Sequence, residues 1–234
     1  MDTAEHLHKT LRELETLNES TPLVEAIQHA VESATAVFRV TGCGVMFIDD
    51  AQVLHYAAAS DGHGRELEKA QTRAGTGPCV QSLVTNEVVK TEDVTADERW
   101  PEIHADLEST RVRGVVGVPI HLGGSVVGSL DAYCHVPHVW TDETVEGLQA
   151  YAKLIERLLL TAMRAQRHEE TVRQLEHALE HRVVIERAVG VLMERHALDA
   201  LSAFERLRSA ARSSRRRAAD VANEILATAG SSTA

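Results

Sequence analysis

The fold class that this sequence predicts is α+β: an antiparallel sheet flanked by helices, followed by a long linking helix into a small helical module. Three observations predict it. Between Gly42 and Tyr133, short apolar runs of strand length alternate with turns rich in glycine and aspartate. On either side of that stretch, apolar residues recur every three or four positions, the period of one helix face. From Leu175 onward the chain reads as compact, arginine-rich helix.

Each element follows in order. From Thr3 to Glu19, Leu7, Leu11, Leu14 and Leu17 lie on one stripe of an amphipathic helix, and such a stripe needs a partner. Thr21 and Pro22 read as the N-cap and first turn of a second helix that carries Leu23, Ile27, Ala30, Val31, Ala34 and Phe38 on one face to about Val40. Gly42 to Ile48 and Val53 to Ser60 form a β-hairpin around Asp49-Asp50. After a turn at Asp61-Gly62, the loop Gly75-Thr76-Gly77 opens a short helix through Leu83, Val88 to Thr91 is a strand, and Asp93 to Pro101 is irregular. Val112 to His121 and Val126 to Tyr133 are two strands joined through Gly123-Gly124, a strong hairpin signal. Thr141-Asp142-Glu143 caps a long helix, expected to run to Ile185, with Leu148, Tyr151, Ile155, Leu158 and Ala162 in step. Val172, Leu175 and Leu179 resume the stripe, and the helix is apolar there only if a second copy covers it, so a homodimer is expected.

Composition bounds the rest. With 234 residues, 44% hydrophobic and 25% charged, the chain buries a true core, and aromatics at 3% leave the packing to Ala, Val and Leu. No apolar run nears the ~18 residues that a membrane span needs, and the N-terminus is no signal peptide, so a cytoplasmic protein with no membrane partner is expected. Cys43, Cys79 and Cys134 fit reduced thiols, and the thirteen histidines form no helical pair with an obvious acid, so no metal site is expected.

The charge is unevenly placed. From His181 to Arg217 there are nine arginines against four acids, a local balance of +5 in a chain of net −11. Phosphate attraction is local, and repulsion from distant acids is screened within about 10 Å, so this island points to nucleic acid. Arginine grips a phosphate bidentately and stacks on an exposed base.

The pattern Arg182-x-x-Ile185-Glu186-x-Ala188-x-Gly190-x-Leu192-Met193, then Ala203-Phe204-x-x-Leu207-Arg208, then Asp220-Val221-Ala222 resembles the ANTAR domain, a three-helix RNA-binding module of bacterial transcription antiterminators. The chain departs from that pattern at Val189, Ala218 and Ala219, where the family usually carries a basic residue, a leucine and a basic residue. The resemblance implies an RNA partner, tandem hairpins in mRNA leaders, with Arg182, Arg187, Arg208, Arg212, Arg215 and Arg216 as candidate contacts. It implies a core of Ala188, Gly190, Met193, Ala203, Phe204, Leu207 and Ala222.

Upstream, Gly75-x-Gly77 before a helix, Asn86-Glu87-Val88-Val89, Asp93 with Arg99-Trp100-Pro101, and Val118-Pro119-Ile120-x-x-Gly123-x-x-Val126-x-Gly128-x-Leu130 resemble a GAF domain, a small-molecule-sensing or dimerising module. The two in this order look like an actinobacterial type of GAF–ANTAR regulator. The implied organisation is an amphipathic helix at 1–20, a GAF sensory domain at 21–163, a coiled-coil linker and ANTAR domain at 164–228, and a tail at 229–234. The sensor takes an unidentified small molecule, with Cys79 and Trp100 as candidate pocket residues and the cofactor unknown. The alternative is a signalling adaptor whose C-terminal helices bind a protein.

Chemistry beyond binding finds little support. Gly75-Thr76-Gly77 lacks the Lys-Ser/Thr of a nucleotide-hydrolysing loop and Pro78 removes a donor, so it reads as a turn shaping the pocket. Cys134-His135 matches a bilin-attachment dipeptide but ends a strand away from the pocket. The cyclic-nucleotide signature Asn-Lys-x-x-Phe is absent. At a helix start the Cys79 thiolate is expected to be favoured by the dipole. No catalytic set stands out, and no enzyme is expected.

Overall fold

The computed structural model describes residues 22–49, 54–108, 110–164 and 170–230. The expected N-terminal helix, Thr21, most of the first hairpin turn and Glu169 lie outside them.

Helix α1 (Leu23–Phe38) starts with Pro22 in the cap position and ends at Arg39, whose φ of 53° turns the chain out of the helix. Strands β1 (Gly42–Ile48) and β2 (Leu54–Ala59) pair antiparallel. Helix α2 (Gly64–Ala74), absent from the sequence expectation, follows, and its mean hydropathy is low because only Leu67, Ala70, Gln71 and Gly64 face inward. Helix α3 (Pro78–Thr85) and strand β3 (Val89–Thr91) come next, then, after the stretch expected to be irregular, a short turn of helix at Pro101–Ile103 that runs into α4 (His104–Glu108), for which the sequence predicts no element. Strands β4 (Val115–Leu122) and β5 (Ser125–Tyr133) are joined by Gly123 and Gly124 at φ 59° and 89°, the two positive values that a tight two-residue hairpin turn demands.

The sheet order is β2-β1-β5-β4-β3, and every pairing is antiparallel. One face carries α1 and α5 (Asp142–Arg164) over a core that includes Ile27, Val31, Val118, Leu130, Leu148, Tyr151 and Ile155. The expected Thr141 cap is present, its hydroxyl accepting from the Thr144 N–H at 3.2 Å. The other face carries α2, α3 and the 101–108 segment over Met46, Leu67, Cys79, Trp100, Ile103 and Tyr133.

The long helix expected from Glu143 to Ile185 is seen as α5 (Asp142–Arg164) and again in α6 (Glu170–His196), with 165–169 outside the described residues, and α6 serves as both linker and first helix of the C-terminal module. With α7 (Ala200–Ser214) and α8 (Ala218–Gly230) it makes a three-helix bundle. Asp199 caps α7, accepting from the Ser202 N–H at 2.8 Å. The bundle core holds Ile185, Ala188, Leu192, Ala203, Phe204, Leu207 and Ala222. Ala188 and Ala203 are fully buried, and such small residues let helix axes approach closely. Among the described residues no helix is long and apolar enough to cross a membrane.

Candidate nucleic-acid interface and sensory chamber

The arginines of the bundle divide into two sets. Arg187, Arg212, Arg215 and Arg216 are exposed, as are Arg195, Arg206 and Arg217. Arg216 Nη1 donates to Glu224 at 2.5 Å, and Arg217 lies 3.3 Å from Asp220. Arg182 and Arg208 are instead buried, 3% and 7% exposed. Both are spent on the sheet domain. Arg182 Nη2 donates to the Leu83 carbonyl at 2.9 Å while its Nε donates to Glu186 at 2.9 Å, and Arg208 Nη1 donates to the Gly75 carbonyl at 3.4 Å. Leu83 lies in the last turn of α3, and Gly75 is the residue that ends α2. Each guanidinium therefore meets the negative end of a helix dipole, where unsatisfied carbonyls favour a cation.

Phe204 stands between the two guanidinium groups, 5.8 Å from Arg182 and 5.7 Å from Arg208. Burial works against both charges, and Glu186 restores part of it for Arg182. Around them Leu201 packs on the sheet-domain core, Val84 on the bundle core, and Ser125 Oγ donates to Glu186 at 3.2 Å. The seam is imperfect. It leaves a solvent-open cavity of about 280 Å³ between α3, the β4–β5 hairpin, α6 and α7.

Of the expected core residues, Ala188, Ala203, Phe204, Leu207 and Ala222 are buried, and Met193 is partly buried against them. Gly190 lies elsewhere: it is exposed, borders the seam cavity, and a Cβ built on it meets nothing within 4 Å. Of the expected dimer stripe, Leu179 packs within the chain, on the sheet-domain core beside Gly123. The side chains of Val172 and Leu175 lie outside the description.

The second site is a polar chamber between the sheet and α2 and α3, filled by the protein's own side chains. Its anchor, missed in the sequence, is Asp131, fully buried at the centre of β5. Gly44 of β1 and Gly117 of β4 stand directly opposite it on the two neighbouring strands, and their missing side chains make room. The Tyr56 ring fills the space at Gly44, where a Cβ would come within 2.1 Å of it, and the Asp131 carboxyl and Cys79 border Gly117. Ser129 Oγ donates to Asp131 Oδ1 at 2.6 Å, whereas Oδ2, Tyr56 Oη, Ser82 Oγ and Trp100 Nε1 are buried without a hydrogen-bond partner among the described residues. Burial pushes the Asp131 carboxyl up to about 7.

Cys79 and Trp100 both border this half of the core, and Arg99 stacks on Trp100 at 4.2 Å. The thiolate expected at Cys79 is not favoured. The thiol is wholly buried, and desolvation, then the nearby Asp131, pushes it well above the usual range. Gln71 sits at the helix start, accepting from the Cys79 N–H at 2.8 Å and donating to Sγ at 3.0 Å, and that donation, which favours the thiolate, offsets burial only in part. Gly77 is required for that contact, since a Cβ there would overlap the Gln71 side chain at 2.4 Å, and its φ of 137° excludes most residues. The Gly75-Thr76-Gly77 loop thus seats Gln71. A signal for the chamber was available in the sequence: Asp131 is an acid inside an otherwise apolar strand.

A smaller cavity, about 10 Å³, lies between Met46, Leu54, Gln71, Val80 and Leu83, and Arg208 of the bundle forms one of its walls. Among the described residues no cluster of three or more His, Cys, Asp or Glu is arranged to hold a metal.

This architecture, a five-stranded sheet with a polar chamber on one face and an arginine-bearing three-helix bundle after it, defines a sensory domain joined to a helical output module. The chain belongs to the GAF domain family, which matches residues 22–159, and an ANTAR domain matches residues 173–226. Both are regulatory rather than catalytic domain types. Among solved structures, the chain resembles the free methionine-R-sulfoxide reductase of Neisseria meningitidis in complex with its substrate. That likeness has 21% identity and a TM-score of 0.58 over 70% of this chain and 95% of that one. It also resembles the GAF domains of phosphoenolpyruvate-protein phosphotransferases from Acinetobacter (15% identity, TM-score 0.56, 71% and 99% covered) and Coxiella burnetii (17%, 0.56, 70% and 99%). At these identities the likeness concerns the fold. A comparison with curated proteins found no match.

Proposed function

We propose that the chain is a signal-responsive, non-enzymatic regulator of transcription antitermination that acts in the cytoplasm. The GAF domain takes a small molecule and governs the ANTAR bundle, and two copies present paired bundles to tandem hairpins in mRNA leaders. The observation that carries this reading is the order of the two domains together with the arginine rim of Arg187, Arg212, Arg215 and Arg216 on the bundle surface. A rim of exposed guanidinium groups attracts phosphate at long range and positions RNA without sequence preference. Val172 and Leu175, three positions apart and so on one face at the start of α6, support association of two copies there.

The test is fluorescence anisotropy with a tandem-hairpin RNA across a salt series, comparing the wild type with Arg212→Ala plus Arg215→Ala. The double variant should bind more weakly, and the slope of log affinity against log salt should fall by roughly 0.7–0.9 per contact removed. An unchanged affinity and slope overturn the reading of this face, and the adaptor reading then leads. Sedimentation of Leu175→Glu tests the dimer; an unshifted dimer removes the start of α6 from the interface.

A further inference from the structure

We propose that the docking of the bundle on the GAF domain is a latch that hides part of the RNA-binding face, so that the sensor competes with RNA for the same arginines. This rests on the RNA reading above and adds the device that regulates it. Arg208 and Arg212 lie one turn apart and so share a face of α7. Arg212 is exposed, yet Arg208 beside it is covered by the end of α2 and donates to the Gly75 carbonyl. Arg182 is covered in the same way by the end of α3. A guanidinium buried against a carbonyl is withdrawn from phosphate. RNA that tracks the Arg208–Arg212 face therefore meets the GAF domain before it meets Arg208.

The seam is built to open. Burying two guanidinium groups costs free energy that the Leu83 and Gly75 carbonyls, the Glu186 carboxylate paired with Arg182 and the nearby charge of Glu205 at Arg208 offset only in part. Glu205 Oε1 is also buried there without a hydrogen-bond partner among the described residues, and the seam cavity of about 280 Å³ forfeits packing contacts. An apolar seam of the same extent would close far more firmly. Opening is linked to the sensor through Arg208, because this side chain is at once a seam contact and a wall of the small cavity on the sheet. That cavity holds about one water, so anything larger that enters must displace its walls, Arg208 among them.

The test weakens the seam from either domain without changing its charge: Val84→Asn on α3 and Leu201→Asn on α7, each in the full chain. Hydrogen exchange should show loss of protection in 83–85 and 204–208 while the rest of both domains keeps theirs. Affinity for the tandem-hairpin RNA should rise about tenfold, an ordinary coupling between two sites. Two variants guard against one of them unfolding its own domain, which circular dichroism reveals. Equal RNA affinity in wild type and in a variant whose domains have parted overturns the latch and leaves the RNA reading standing. No RNA binding by either protein overturns the RNA reading, and the latch falls with it.

Discussion

Replacing Asp131 by Asn should remove most of one pH dependence from the folding of the GAF domain. The carboxyl is fully buried between Gly44 and Gly117, with hydrogen bonds from Ser129 and the Cys79 thiol, and Tyr56 of β2 and Cys79 of α3 face it as neutral groups held above their usual ranges. No cation offsets its desolvation, which lifts it from 3.8 to about 7. The folded chain therefore keeps a proton that the unfolded chain releases above about pH 4. Stability from this group is complete below the unfolded value, declines as pH rises, and levels off above about pH 7. The full span, about three units, amounts to about 4 kcal/mol, of which roughly 2–3 kcal/mol falls between pH 5 and pH 8. Asparagine has the same shape and no charge to bury. Urea unfolding of both proteins at pH 5, 6, 7 and 8 gives the difference curve, in which the other carboxylates cancel. The variant should gain roughly 2–3 kcal/mol on the wild type across that range. A flat difference means that water or a cation reaches Asp131, and the dry chamber is wrong.

Three further outcomes follow from packing. Phe204→Ala should cost about 3–5 kcal/mol in thermal unfolding of the bundle, because the ring is 1% exposed and fills the space between α6, α7 and the two buried arginines. Gly190→Ala should raise stability by roughly 0.5–1 kcal/mol, since its added methyl meets open space and the helix gains propensity; a loss, seen in the same melts, would put an occupant in the seam cavity. Cys79 should resist iodoacetamide at pH 7.5 in the native chain and react once the chain is unfolded in urea, as followed by mass spectrometry; rapid labelling would show a solvated thiolate in place of the buried thiol.

The elements with a strong period were legible in the sequence. β4, β5 and their two-glycine turn and α3 after its proline lie within a few residues of their expected bounds, and α5 starts where Thr141 predicts, because each carries its own local signal. Helix α2 was not legible. It sits on the sheet with only four inward residues, one of them Gln71, and the stretch from Gly64 to Ala74 is otherwise polar. Gln71 illustrates the general difficulty: its role depends on Gly77 leaving space and on Cys79 arriving in register, neither of which its own neighbours encode. The arginines failed in a subtler way. Their number located the bundle, but exposure depends on which helix ends lie opposite, and Arg182 and Arg187, five positions apart on one helix, end up respectively under the GAF domain and in solvent.

That division bears on how the two domains communicate. A linking helix alone transmits a signal by changing the spacing of two bundles, and it leaves each bundle as competent as before. Here α6 starts beside the sheet, where Leu179 packs near Gly123, and continues as the first helix of the bundle through Arg182, Ile185 and Ala188. The same helix therefore carries the contact to the sensor and the core of the output. A shift of α6 at Gly123 displaces Arg182 from the Leu83 carbonyl, because side chains on one rigid helix cannot move independently over two turns. Arg208 reaches the sensor by a second path, through α7 and the cavity wall. In the latch proposed above, two contacts from different helices, both ending on carbonyls of the GAF domain, would hold the docked arrangement as one state of a switch between a silent and a binding bundle.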